Sequence, residues 1–217
     1  MGGAPIGAHM IGLFVTGVSL GLNAGLLPGP TQTYLIQTSL AYGWRRALPG
    51  AFAPLAADIP VILLAVLVLS SVPQAAIQLL RIGGGLFILW LAFSALRSLR
   101  AGAVIGAGGA TGAGLTSRQL FVRVVVVNLF SPGPWLFWST INGPLLVGGL
   151  QTSPWHGLAF LLGFYGTMIG MLSIVVLAFG WLRTLNPAIT RGLMLASTGV
   201  LALLGVVFIL QGVGLVS

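Results

Sequence analysis

This sequence contains one acidic side chain: Asp58, in the stretch AFAPLAADIPVILL. It lies about eleven residues from either end of the apolar segment 47–71, and at about 1.5 Å per residue a helix there puts it near the middle of a bilayer. A charge at that depth is costly, so an intramembrane carboxylate is a functional residue by default. Burial favours the neutral form of a carboxyl group, which suits a residue that loads and releases a proton or meets an ammonium group. Pro54 and Pro60 flank it, so the helix is irregular where the acid sits. A plainer role is to cap N–H groups freed by the prolines or to pair with an arginine. Arg81, a short way into the segment 76–96, could pair with Asp58 or bind a substrate carboxylate. Snorkelling to the membrane interface explains Arg81 more simply.

The second chemical feature is a repeated tripeptide. Pro28-Gly29-Pro30 interrupts one apolar segment and Pro132-Gly133-Pro134 another, with Asn23 and Asn128 just upstream. Proline lacks an N–H and clashes with the carbonyl four residues back. Such backbone is tolerated at membrane depth only where it is buried in protein or lines a polar cavity. A half-helix starting at Thr31 presents free N–H groups and the positive end of its dipole, which suit an anion. The carbonyls before Pro28 suit a cation or an ammonium group. Either tripeptide alone reads as a packing kink; two at matched positions favour a binding role. Gln32 adjoins the first break, and Thr31, Tyr34 and Thr38 share a helix face beyond it. Ser139 and Asn142 lie one turn apart beyond the second. Hydrogen bonding between helices is the competing use for such side chains.

Other chemistries are excluded. There is no cysteine, hence no disulfide, thiolate catalysis or Cys-based metal site. His9, His156 and Asp58 are too scattered for a conventional metal site. The histidines read as incidental groups at or outside the membrane edge. No nucleophile–base pair suggests hydrolysis, so no enzyme is expected, and no cofactor. The loop RAGAVIGAGGATGAGLTSR (100–118) has the glycines of a phosphate-binding loop but no preceding strand and no closing GK[ST]. It reads as a flexible connection. The formal charge of +8 comes from arginines spread over segment ends, so a nucleic-acid partner is not expected.

Membrane-spanning helices must position these residues. Hydrophobic residues make up 57% of the chain and charged ones 5%, against about 25% charged in soluble domains. Six apolar segments predict spans near 10–42, 47–71, 76–96, 119–147, 156–181 and 192–214, the first and fourth long and broken. Little chain is left for a soluble domain. MGGAPIGAH has no basic region typical of a cleaved signal, and GAHM suggests an added leader with Met10 as the natural start. Arginine marks cytoplasmic loops. Arg45, Arg46, Arg97, Arg100, Arg118, Arg123, Arg183 and Arg191 fall on one side and only Arg81 on the other, which puts both termini outside. Trp44, Trp155 and Trp181 read as interfacial anchors.

Three spans precede the 100–118 loop and three follow it. An odd number inverts the second half, so the breaks belong to two inverted repeats, near 10–99 and 119–217. That pattern points to a secondary transporter. Gly17, Gly21, Gly25 and Gly29 form a stripe for close helix packing within the fold, or alternatively for a homo-oligomer.

With this pattern the chain resembles the LysE/RhtB family of bacterial amino-acid exporters. The resemblance is carried by LLPGPTQTYLIQTSLAYGWRRALPGAF, by AADIP, whose aspartate is Asp58, and loosely by NLFSPGPWLFW, with Asn128 and Pro132. It spans nearly the whole chain. Ala57 stands where the family has glycine, and the lysine of the family's Asn-Pro-Lys has no counterpart. The resemblance implies proton-driven export of amino acids or related metabolites across a prokaryotic cytoplasmic membrane. The expectation is an all-α polytopic membrane protein with six helices in two inverted repeats, helices 1 and 4 broken at Pro-Gly-Pro. Asp58 would couple protons or hold an ammonium. Residues 28–32 (Pro28, Gly29, Pro30, Thr31, Gln32), Tyr34, Asn128, Pro132, Gly133, Pro134, Ser139 and Asn142 would bind substrate. A channel or metal-ion permease of the same superfamily, and a membrane scaffold using the glycine stripe, are the alternatives.

Overall fold

The structure is a computed structural model that describes residues 6–26, 29–68, 74–100, 115–184 and 187–215. Most of the 100–118 loop, the start of the chain and Pro28 lie outside the described residues. All regular structure among the described residues is helical. The helices are α1 (Ile6–Leu26), α2 (Pro30–Tyr42), α3 (Trp44–Ala47), α4 (Ala53–Val68), α5 (Gln74–Arg100), α6 (Ser117–Phe130), α7 (Pro132–Phe137), α8 (Gly143–Thr152), α9 (Pro154–Leu182) and α10 (Pro187–Gly212). A 3-10 turn, Leu48–Phe52, leads into α4, and a π turn, Trp138–Asn142, joins α7 to α8.

Proline sets many of the boundaries. α2, α7, α9 and α10 each begin on a proline, where the missing N–H needs no partner and φ is already helical. The residue before proline is pushed to extended backbone. Gly29 (φ −136°, ψ 179°) and Ser131 (φ −79°, ψ 132°) both obey this. The helix therefore lapses just before Pro30 and just before Pro132. The second Pro-Gly-Pro forms the first turn of α7, and the extended residue there is Ser131. Thr116 starts α6 with a capping box: Gln119 N donates to Thr116 Oγ1 at 3.3 Å and Thr116 N to Gln119 Oε1 at 2.9 Å.

Among the described residues four helical stretches are long and apolar enough to cross a membrane: His9–Leu26, Trp44–Leu64, Pro154–Leu182 and Ala188–Gly212. Ser117–Phe130 with Gly133–Thr152 makes a fifth if it is one interrupted span. Residues 10–42 were expected to form one broken span. In the structure α1 suffices alone, and α2, with 13 residues, is about 20 Å long and too short to cross by itself. α5 has 27 residues and the length of a span. Leu, Ile, Val and Phe side chains are exposed along all these helices, as a surface facing lipid requires.

The chain divides into two compact units, each assembled from separate stretches. The first unit holds α1, α4 from Asp58 onward, α7, the π turn, α8 and α9 as far as Leu172. Its α1 lies against α9 with almost no gap. A Cβ at Gly17 or Gly21 would collide with the carbonyls of Phe160 and Phe164, and one at Gly163 with that of Phe14. The stripe is thus used inside the unit, as small residues in membranes commonly are. Gly29 takes no part in it.

The second unit holds α2, α3, the 3-10 turn, the start of α4, α5, α6, the end of α9 and α10. α5 and α10 approach through Gly85 and Gly205, and Gly50 packs on Leu35 and Val124. Leu40, Leu99 and Met194 form a core with Ile36, Phe179 and Leu193 around it. Gly43 turns the chain from α2 into α3 at φ 84°, a conformation that favours glycine. Gln37 Nε2 donates to Thr198 Oγ1 at 3.0 Å, which fixes α2 to α10.

Candidate functional site

Asp58 is 3% exposed, on the face of α4 that the first unit covers. Two neutral donors converge on one of its oxygens. Trp138 Nε1 donates to Oδ2 at 3.1 Å and the Tyr165 hydroxyl donates to the same atom at 3.0 Å. Both donors are themselves buried. Buried indole N–H and phenol O–H groups require partners, so each ring is aimed as much by the carboxyl as the carboxyl is by the rings. Pro60, two residues on, cannot donate to the carbonyl of Ala56, so α4 lacks one of its ladder bonds beside the acid.

Aromatic rings enclose this group. Trp138 stacks on Tyr165 (centroids 6.3 Å apart, 25° between planes) and meets Phe164 edge-on at 5.7 Å. Phe164 meets Tyr165 edge-on at 5.1 Å and stacks on Phe160 at 6.3 Å. The two rings that hold Asp58 thus sit in a cluster of four aromatic side chains.

Trp138 opens the π turn. One turn further, Asn142 is fully buried, and neither its side-chain oxygen nor its nitrogen has a partner among the described residues. A π turn shifts the side chains that follow it and often marks a functional position. His156, expected at the membrane edge, is 1% exposed. Its Nδ1 pairs with Ser153 Oγ at 2.8 Å, while Nε2 is buried without a partner among the described residues.

The other expected residues divide plainly. In the second unit, Thr31 Oγ1 donates to Asn128 Oδ1 at 3.1 Å, so the residue after the first break meets the asparagine before the second. Gly29 caps α2, Pro30 begins it and Gln32 is half-buried. Tyr34 is buried and hydrogen-bonds Arg123. In the first unit, Ser139 donates to the carbonyl of Leu136 in its own helix, Gly133 is exposed and Pro134 half-buried. Pro132 begins α7.

Sequence reasoning missed Trp138 and Tyr165. Aromatic residues inside apolar segments look like core. The usable signal was polarity: Tyr165 is one of three tyrosines in the chain and the only one in the segment 156–181. A hydroxyl at that depth must find an acceptor, and Asp58 is the only side-chain carboxylate the chain offers.

A chain whose regular structure is helical throughout the described residues, with several membrane-length apolar helices and buried polar groups within them, is a multi-pass membrane protein. Comparison with known families identifies which kind. The family model for LysE type translocators matches residues 22–215, so the chain belongs to the LysE type translocator family. Translocators of this family are transporters, and membership implies membrane transport of amino acids or related compounds. No curated protein and no solved structure matches the chain.

Proposed function

We propose that the protein exports a small amino acid or related metabolite in exchange for protons, by alternating access around a site at mid-membrane. The observation that carries this reading is Asp58: the only side-chain carboxylate, 3% exposed, fixed by Trp138 and Tyr165. A proton and a substrate ammonium compete for that carboxyl, and competition for one group is itself a mechanism of antiport. Residues 28–32 and Asn128 to Pro134, around the two Pro-Gly-Pro sequences, with Tyr34, Ser139 and Asn142, are the further residues assigned to the substrate path.

Two inverted repeats, near 10–99 and 119–217, account for the paired breaks. The division into units supports this. α1, before the first break, belongs to the first unit, and α2, after it, to the second. The second break reverses that order: α6 belongs to the second unit and α7 and α8 to the first. A two-fold relation between repeats exchanges segments in this way. With eight of nine arginines on one side, six spans place both termini outside a prokaryotic cytoplasmic membrane.

Inside-out vesicles test the reading. Radiolabelled amino acids should accumulate when the lumen is acidified and stop accumulating when a protonophore is added. Flux that is unsaturable and indifferent to the gradient would instead mark a channel.

A further inference from the structure

We propose that a pocket around Arg123 in the second unit binds the carboxylate of the transported molecule. Naming the molecule rests on the exporter reading; the pocket's preference for a carboxylate does not. The pocket lies among α2, α5, α6 and α10, with a cavity of about 40 Å³. A single water takes about 10–15 Å³ measured this way, so the space fits one group of a few atoms. It is partly open, which leaves room for the rest of a ligand to extend outward.

Arg123 is the one charged residue in its lining among the described residues. Tyr34 hydrogen-bonds the guanidinium, whose carbon stands 5.1 Å from the centroid of the Trp90 ring. A guanidinium has five N–H donors in a planar fork, so these contacts orient it and leave donors for a ligand. The fork matches a carboxylate with two parallel hydrogen bonds. Two of the polar neighbours have donors engaged elsewhere. Gln37 Nε2 is committed to Thr198, and the Thr38 hydroxyl donates to the carbonyl of Leu35 at 3.1 Å. Leu91 and Met194 complete an apolar wall, which strengthens the pull of the guanidinium on an anion. In a chain of formal charge +8, the anion that neutralises this arginine on binding is supplied by the ligand.

Trp90 supplies the readout, because an anion on Arg123 alters the cation–π contact. Purified protein in zwitterionic detergent is titrated with each amino acid, with acids of the same skeleton lacking the amino group, and with amines lacking the carboxyl. Phosphatidylglycerol is titrated separately, and Trp90→Phe identifies the signal. Carboxylate-bearing compounds of at least one skeleton should give a saturable change and the matched amines none. Arg123→Gln should weaken binding at least tenfold, and Arg123→Lys less, because it keeps the charge and loses the fork. Tyr34→Phe should weaken it mildly, and it reads the pocket if Arg123→Gln does not fold. Equal binding by Arg123→Gln, no response to any carboxylate, or a response to phosphatidylglycerol alone would overturn the proposal. Carboxylate binding without proton-coupled transport would sink the exporter reading and leave the pocket. Undiminished transport by Arg123→Gln would do the reverse.

Discussion

The hydroxyl of Tyr165, on α9, donates to Asp58 Oδ2, on α4, at 3.0 Å. A carboxyl on one helix is thereby tied to a second helix by a phenol hydroxyl. Trp138 shares that oxygen at 3.1 Å, so the two donors form one unit. Tyr165→Phe and Trp138→Phe should each slow transport at least about tenfold, since a hydrogen bond to a charged group contributes about 1.5–3 kcal/mol and about 1.4 kcal/mol is tenfold in rate. Their effects should not add, because contacting residues with a shared partner couple by about 0.5–3 kcal/mol. A double-mutant cycle on initial transport rates measures the coupling; strict additivity would show that the donors act independently.

Asn142 offers a contrast between stability and activity. It is fully buried and its side-chain atoms have no partner among the described residues. An unsatisfied buried polar group costs about 1–3 kcal/mol. Asn142→Leu should therefore raise the melting temperature in detergent by a few degrees while transport falls at least tenfold. A fall in both would mean that Asn142 serves the fold.

The glycine stripe gives a graded packing test. A Cβ at Gly21 would collide with the backbone of Phe164, whereas one at Gly12, on the same helix, meets nothing within 4 Å. Overpacking costs about 1–3 kcal/mol, so Gly21→Leu should lower the melting temperature and Gly12→Ala should not. Equal effects would contradict the α1–α9 contact.

Gln37 and Thr198 join α2 to α10 through a buried bond of 3.0 Å. Gln37→Leu or Thr198→Val alone leaves one partner stranded, at a cost of about 1–3 kcal/mol. Replacing both should recover much of the loss in a chemical unfolding series. No recovery would assign the damage to packing.

Much of this was legible in the residues. An acid in an apolar helix is costly enough to announce itself, and Asp58 did. Paired prolines announce lapses in a helix, and Gly29 and Ser131 show where those lapses fall. Partnerships were less visible, because hydropathy carries no direction. Trp138 and Tyr165 lie in apolar segments, where aromatic side chains commonly fill space, and nothing in the residues Trp138–Asn142 signals a π turn. His156 was read from its position near a segment end, yet tertiary contacts bury it. Arg123 was counted as a topology marker. Only the fold puts it beside Tyr34 and Trp90, residues 89 and 33 positions away along the chain. The glycine stripe left open what it packs against, and Phe160 and Phe164 answer that within the first unit.

Proton movement in liposomes tests the central claim most directly. Purified protein is reconstituted with a pH-sensitive dye inside, and amino acids are added one at a time to native protein and to Asp58→Asn. The expected result is a pH change triggered by one class of amino acid and absent from the variant, while the variant still inserts and folds. A pH change of the same size in Asp58→Asn would contradict the account, because the proton would then travel without the only side-chain carboxylate in the chain.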